Sequence, residues 1–344
     1  MKLGLIGLSG SGKTTIFEAL TGREPEGRLK GDDSLGSVRA PDLRIDRLSE
    51  MYHPQKTIYA QVNYLLPKKS SGAKDGGKTA DFMAGARDCD AFIHVVRNYG
   101  GFGFDAPTPG ADFSAGDQEL ILSDLMVVEK RLERLAQDRR RGKTVDEKEG
   151  SLLEKCAKLL EDGSPLRRDP ELAGDHLLRG FAFLSGKPTL VLFNNEDDDP
   201  APPDLGALDF NEQSMVISGK LEQELAQMSE EEARDFLAEF QIASTARDRV
   251  IKRSYQLLGA LSFFTVGEDE VRAWTIKDGD PAMEAAGAIH SDIKKGFIRA
   301  EVVAYDDLMD AGTQIEAKKR GKVRLEGKTY RVADGDIINF RFNV

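Results

Sequence analysis

The sequence predicts an α/β protein with a mostly parallel sheet, an inserted helical hairpin and a small β-rich domain at its end. Three observations lead there. Short apolar runs alternate with helix-like segments in the first and central parts of the chain, the pattern of strand–helix–strand units. From about 117 to 180, apolar residues recur instead at every third or fourth position, the period of a helix face. From about 259 onwards, strand-like runs surround one helix-like segment.

The elements follow in order. Residues 2–7, KLGLIG, read as a short buried strand, and residues 13–21 as a helix that starts after a glycine loop. Strand-like runs recur at 91–96 (AFIHVV), 188–193 (PTLVLF) and 215–218 (MVIS), with helix-like segments between them. In the interrupting stretch, Leu122, Leu125, Val128, Leu132 and Leu135 form one apolar stripe, and LLEKCAKLL at 152–160 repeats the spacing. The polar RRRGKTVDEKEG between them reads as a hairpin tip, so the two helices are expected to run antiparallel. Two separate helices packed on the sheet are the alternative. Residues 198–206, DDPAPPDLG, read as a loop. Ser229 followed by Glu232 is a capping-box signature at a helix start. Near the end, VRAWTI, GFIRAEVVAY, KVRLEGKTYRV and DIINFRFNV are strand-like. Pro281 opens the helix between the first two. A small mixed sheet wrapped on one helix, of the β-grasp kind, fits this order.

Composition bounds the reading. The chain has 344 residues with 40% hydrophobic and 31% charged, a globular balance spread over more than one domain. No run is long and apolar enough for a membrane span, and the N-terminus lacks the layout of a signal peptide, so a cytoplasmic protein without a membrane partner is expected. The two cysteines, Cys89 and Cys156, have no CxxC spacing and read as core residues. A net charge of −11 argues against nucleic-acid binding by the whole surface. Two local basic stretches stand out: RRRGK at 139–143 and KKRGK at 318–322.

The chemistry sits in GLSGSGKT, residues 7–14, a complete GxxxxGK[ST] match between a strand and a helix. Such a loop curls its backbone N–H groups around phosphate oxygens, which glycines at 7, 10 and 12 permit. The helix that follows adds its N-terminal dipole. Ser9, Gly10, Ser11, Gly12, Lys13, Thr14 and Thr15 are the expected phosphate contacts. Lys13 supplies the cation and Thr14 a hydroxyl for Mg²⁺. A base-reading loop is expected after the strand at 188–193. There Asn194, Asn195 and Asp197 give NxxD, where GTPases of the translation type read NKxD. Asn195 stands in place of the lysine that normally braces the site. Asp197 could accept from guanine, while an acidic solvated loop is the other reading. Ser218, Gly219 and Lys220 resemble the last base-contacting loop of GTPases.

Other expected parts are missing. A metal-supporting strand should end in Asp, usually as DxxG. In AQVNYLLPKK, residues 60–69, Asn63 takes the aspartate's place and Leu66 the glycine's. A switch threonine is not found; the expected position is Lys30, with Ser34 nearby. No glutamine is placed to orient water.

Taken together, these stretches resemble the YchF group, the Obg-like ATPases of the TRAFAC P-loop GTPase class. APDLRIDRLSEMYHPQKT, RDCDAFIHVVR and KPTLVLFNN resemble its G domain; residues 271–308 and 321–344 resemble its TGS domain. The resemblance implies a Ras-like P-loop domain over 1–116 and 182–258, an inserted antiparallel helical hairpin over 117–181, and a C-terminal β-grasp (TGS) domain over 259–344. It further implies a purine nucleotide, ATP or GTP, with Mg²⁺, slow hydrolysis and association with ribosomes. The hairpin tip residues Arg139, Arg140, Arg141 and Lys143, with the TGS sheet, are the candidate ribosome or RNA contacts. The chain departs from the group in its GSGKT wording, in lacking DxxG, and in its SSGAKDGGKT switch II stretch. Two functions therefore stay open: a slow NTPase, or a nucleotide-binding scaffold with negligible hydrolysis.

Overall fold

In the computed structural model, residues 1–23, 33–67, 85–101, 103, 105–206, 208, 210–239 and 244–343 are described. The first elements are β1 (Lys2–Ile6), α1 (Lys13–Thr21), β2 (Ser34–Arg39), α2 (Leu43–Tyr52), β3 (Lys56–Ile58), β4 (Gln61–Leu66) and β5 (Ala91–Asn98). The helices α3 (Pro109–Arg140), α4 (Glu147–Glu161) and α5 (Pro170–Ala173) follow. Then come β6 (Thr189–Asn195), β7 (Gln213–Ile217), α6 (Gly219–Gln227), α7 (Glu230–Glu239) and α8 (Ala246–Leu257). The chain ends with β8 (Ala260–Thr265), β9 (Glu270–Lys277), α9 (Ala282–Ile289), α10 (Ser291–Lys295), β10 (Phe297–Ala304), α11 (Tyr305–Ala311), α12 (Gln314–Lys319), β11 (Arg324–Glu326) and β12 (Asp336–Phe342).

One sheet has the order β2-β4-β1-β5-β6-β7. Its five strands β4, β1, β5, β6 and β7 run parallel. The reason is readable in β5 and β6, whose burial is nearly unbroken. Strands covered on both faces carry continuous apolar runs rather than alternation. Lys2 lies opposite Asn63, and Ile6 lies opposite His94. The chain order reverses at β1, between β4 and β5, and ligands of open α/β sheets bind at the carboxyl ends beside such a switch point. Helix α1 buries Ile16, Phe17, Ala19 and Leu20.

The expected antiparallel hairpin is α3 and α4, joined by a short turn. Its core holds Ile121, Val128, Leu153, Cys156 and Leu160, with Leu125, Leu132 and Leu135 against it. Two details differ from the sequence reading. Leu122 is 59% exposed and Ile121 takes its place in the stripe. The helix also starts at Pro109, well before 117. Glycines and small polar residues in ADFSAG hid its first two turns. Both cysteines are buried, as expected. The capping box is real: Glu232 accepts from the Ser229 amide (2.9 Å), and Ser229 Oγ accepts from the Glu232 amide (3.3 Å).

The second sheet has the order β11-β10-β12-β8-β9-β3. Strand β12 runs parallel to β8, while β8–β9, β10–β12 and β10–β11 are antiparallel. Helix α9 packs Ala282, Ala285 and Ala286 into a core with Phe263, Phe297, Val302 and Phe340. This is the β-grasp arrangement.

By packing, the chain divides into Met1–Gly36 with Asn63–Arg247, and Ser37–Val62 with Asp248–Val344. The sequence reading placed 37–62 in the nucleotide-binding part. It groups with the C-terminal unit because β3 adds to the edge of β9, Lys56 to Ile58 pairing with Glu270 to Arg272. Arg44 on α2 reinforces this, bridging Asp42 (2.8 Å) and Asp334 (2.7 Å).

Candidate nucleotide-binding site

The glycine loop leaves the carboxyl end of β1. Gly7, Gly10 and Gly12 have φ of 136°, 81° and 94°, the region that L side chains avoid. Space forbids a side chain too. A Cβ on Gly7 would collide with the Val95 carbonyl, and one on Gly12 with the Asn194 amide. Gly12 is the N-cap of α1 and no side chain caps that end. The N-terminus of this nine-residue helix therefore opens onto the glycine loop, the kind of helix end that suits an anion. Lys13 folds back over the loop, its Nζ donating to the carbonyls of Gly7 and Leu8, each at 2.7 Å. Thr14 and Thr15 stand half-buried in the first turn, and Ser9 is exposed on the loop.

Asn194, at the end of β6, ties the site together. Its Nδ2 donates to the Ser11 carbonyl (3.1 Å) and its Oδ1 accepts from the Gly219 amide (3.0 Å). Three separate chain segments therefore meet on one buried amide. Gly219 is required there, because a Cβ would press on Asn194 and Ile16. The other loop residues are arranged differently. Asn195 donates to the carbonyls of Asp199 (2.9 Å) and Ala201 (2.8 Å) and accepts from Asn98 (3.0 Å). Its side chain braces its own loop rather than the phosphate loop. Asp197 is exposed and accepts from the Leu221 amide at 3.3 Å. Ser218 Oγ donates to the Glu196 carbonyl (3.4 Å), and Lys220 is exposed.

The register of β4 corrects the reading of Asn63. Asn63 pairs with Lys2 at the start of β1. Ile6, beside the phosphate loop, is four residues further along, about 13 Å at the rise of a strand. Asn63 therefore stands at the wrong end of the sheet to support a metal. The carboxyl end of β4 carries Leu66 and is followed by Pro67, with no acid there among the described residues. The error came from motif spacing alone, which does not fix register. Lys30 and the SSGAKDGGKT stretch lie outside the described residues; Ser34 is buried at the start of β2.

Two neighbours were not anticipated. Tyr99, just past β5, donates its hydroxyl to the Gly10 carbonyl at 2.7 Å. His94, level with Ile6, is buried beside Phe113 and Gly116. Burial, with the charges of Arg167 and Lys13, lowers its pKa to about 3, so the ring is neutral. Among the described residues no cluster of three His, Cys, Asp or Glu could hold a metal, and no helix is long and apolar enough to cross a membrane. At the hairpin tip, Arg139 pairs with Glu147 and Lys143 with Asp138, while Arg140 and Arg141 are exposed.

The YchF-GTPase_C family model, described as a protein of unknown function (DUF933), matches residues 260–343. The chain is 37% identical to the ribosome-binding ATPase YchF of Bacillus subtilis, covering 99% of each chain. It is 34% identical to that of Escherichia coli O157:H7, over 100% of this chain and 99% of the other. Among solved structures it matches the Schizosaccharomyces pombe YchF GTPase with a TM-score of 0.83 at 26% identity, covering 99% and 97%. A GTP-binding protein from Pyrococcus horikoshii matches in fold, with a TM-score of 0.59 at 18% identity over the whole of both chains. With identity above 30% along the whole length of curated relatives, the chain belongs to the YchF family.

Proposed function

We propose that this chain binds a purine nucleoside triphosphate on the glycine loop and turns it over slowly while associated with the ribosome. The observation that carries this is the loop itself: three positive-φ glycines, an uncapped helix end and Lys13 folded over the curve. Relatives named ribosome-binding ATPases supply the partner and favour ATP over GTP. With a ribosomal partner, the protein would work in the cytoplasm. Mg²⁺ fits as an ion carried mainly by phosphate and water, since such ions take few protein ligands. Thr14 would be its protein oxygen, and the ion would neutralise charge on the outer phosphates. The three-part division, with 117–181 as an inserted arm, is the arrangement we favour. Arg140 and Arg141 at its tip, beside the paired Arg139 and Lys143, and the β-grasp sheet would face ribosomal RNA.

Titration calorimetry with ATP and GTP tests the binding. ATP is expected to bind the parent, and Lys13→Ala to lose most of that affinity. If GTP binds better and Asp197→Asn weakens it about tenfold, the base loop reads guanine instead. Charge reversal at Arg140 and Arg141 should weaken ribosome co-sedimentation and flatten its salt dependence.

One observation favours a second reading, a nucleotide-binding scaffold with negligible hydrolysis. The strand end next to the loop offers Leu66 and Pro67 where a metal-supporting acid belongs. Single-turnover hydrolysis separates the two. A rate equal to uncatalysed decay leaves the scaffold.

A further inference from the structure

We infer that Tyr99 is the positioning residue that braces the phosphate loop, doing here what the lysine of an NKxD loop does. The inference rests on the nucleotide-binding reading and deepens it. In this chain the lysine position is Asn195, and its amide is spent on Asp199, Ala201 and Asn98. The loop carbonyl it would leave unheld is taken from another direction. Tyr99 Oη donates to the Gly10 carbonyl at 2.7 Å.

The consequence follows from the planarity of the peptide bond, in which C=O and N–H point in opposite directions. Anchoring the Gly10 carbonyl on Tyr99 sets the Ser11 N–H, which turns into the loop and donates to the Leu8 carbonyl at 3.3 Å. Anchoring the Ser11 carbonyl on Asn194 sets the Gly12 N–H in the same way. Two successive peptide units at the crown of the loop are thus held by their carbonyls, one from the residue just past β5 and one from the end of β6. Glycine at 10 and 12 makes this necessary, because residues without side chains do not hold a left-handed backbone by themselves. Tyr99 is in turn held in place. The next amide, Gly100 N–H, donates to Glu196 Oε1 (2.9 Å), and Asn98 is bonded to Asn195. Burial raises the phenol pKa, so the hydroxyl keeps its proton and remains a donor at neutral pH.

Tyr99→Phe removes the hydroxyl and keeps the ring. The experiment measures ATP and ADP affinity by calorimetry with Mg²⁺, together with amide exchange by mass spectrometry. Loss of one hydrogen bond predicts about threefold to tenfold weaker binding of both nucleotides. Faster exchange is expected in peptides covering residues 7–14, with unchanged exchange in those covering 260–277. Unchanged affinity in Tyr99→Phe, with binding lost in Lys13→Ala, overturns the role of Tyr99 and leaves the site intact. Faster exchange throughout the chain would show a structural role only and also overturns it. Binding that survives Lys13→Ala overturns the site and this inference together.

Discussion

At the scale of single residues, Asn194 and His94 show how the candidate site around the glycine loop is built from its surroundings. Asn194 is 5% exposed and satisfies both a loop carbonyl and a distant amide. Asn194→Ala leaves those two groups unpartnered, costing about 1–3 kcal/mol for each buried group. Nucleotide affinity should fall alongside, read by calorimetry. His94 gives a pH signature. Its pKa is about 3 in the fold against 6.5 for the ordinary side chain. Between those values the unfolded chain takes up a proton that the folded chain refuses, so stability falls as pH drops from about 6.5 towards 3. The slope approaches about 1.4 kcal/mol per pH unit from this group. Urea unfolding across that range should show it, and His94→Asn should flatten it. An unchanged slope would mean the ring is charged or exposed. The glycines and Lys13 were legible in the sequence because only they satisfy such a loop. Tyr99 was not, since nothing in RNYGG announces which carbonyl a hydroxyl will meet.

At the scale of elements, the helical arm is fastened by Asp124 on α3. Its carboxylate is fully buried and accepts from the amides of Leu184 (3.0 Å) and Ser185 (2.7 Å), with Arg87 3.5 Å away. Burial outweighs these contacts and raises its pKa. Asp124→Ala should destabilise by about 3 kcal/mol, because two buried amides lose their acceptor. Asp124→Asn keeps one acceptor oxygen and should lose less. Denaturant unfolding of both variants checks the order. The periodicity of α3 and α4 was readable because a helix packed on one partner exposes the rest. The onset at Pro109 was not, since Gly110, Gly116 and small polar residues blur the stripe. Strand β4 teaches the complementary lesson. Its residues read as a strand, yet its register against β1 is a tertiary fact, and motif spacing put Asn63 at the wrong end. Strand β8, ALSFFT, is hard to read from sequence because it follows a helix with no turn signal beyond Gly259.

At the scale of the whole molecule, the chain is threaded through its two units rather than cut between them. The C-terminal unit takes in 37–62, so β9 has β3 as an edge partner and Asp334 has Arg44. A fragment beginning at Asp248 would lack both. It should melt at lower temperature than the same unit in the full chain, and β9 amides should exchange faster, as expected of an uncovered edge. Equal protection in the fragment would make β3 dispensable. Motifs located the phosphate loop and both sheets, but sequence order hid this exchange of segments, because a three-residue strand carries no signal of its partner. The most direct measurement is titration of the full chain and of Lys13→Ala with ATP and Mg²⁺. Saturable heat from the parent and its loss in the variant are expected. Equal heats from both, or none from either, would contradict a glycine loop that grips polyphosphate.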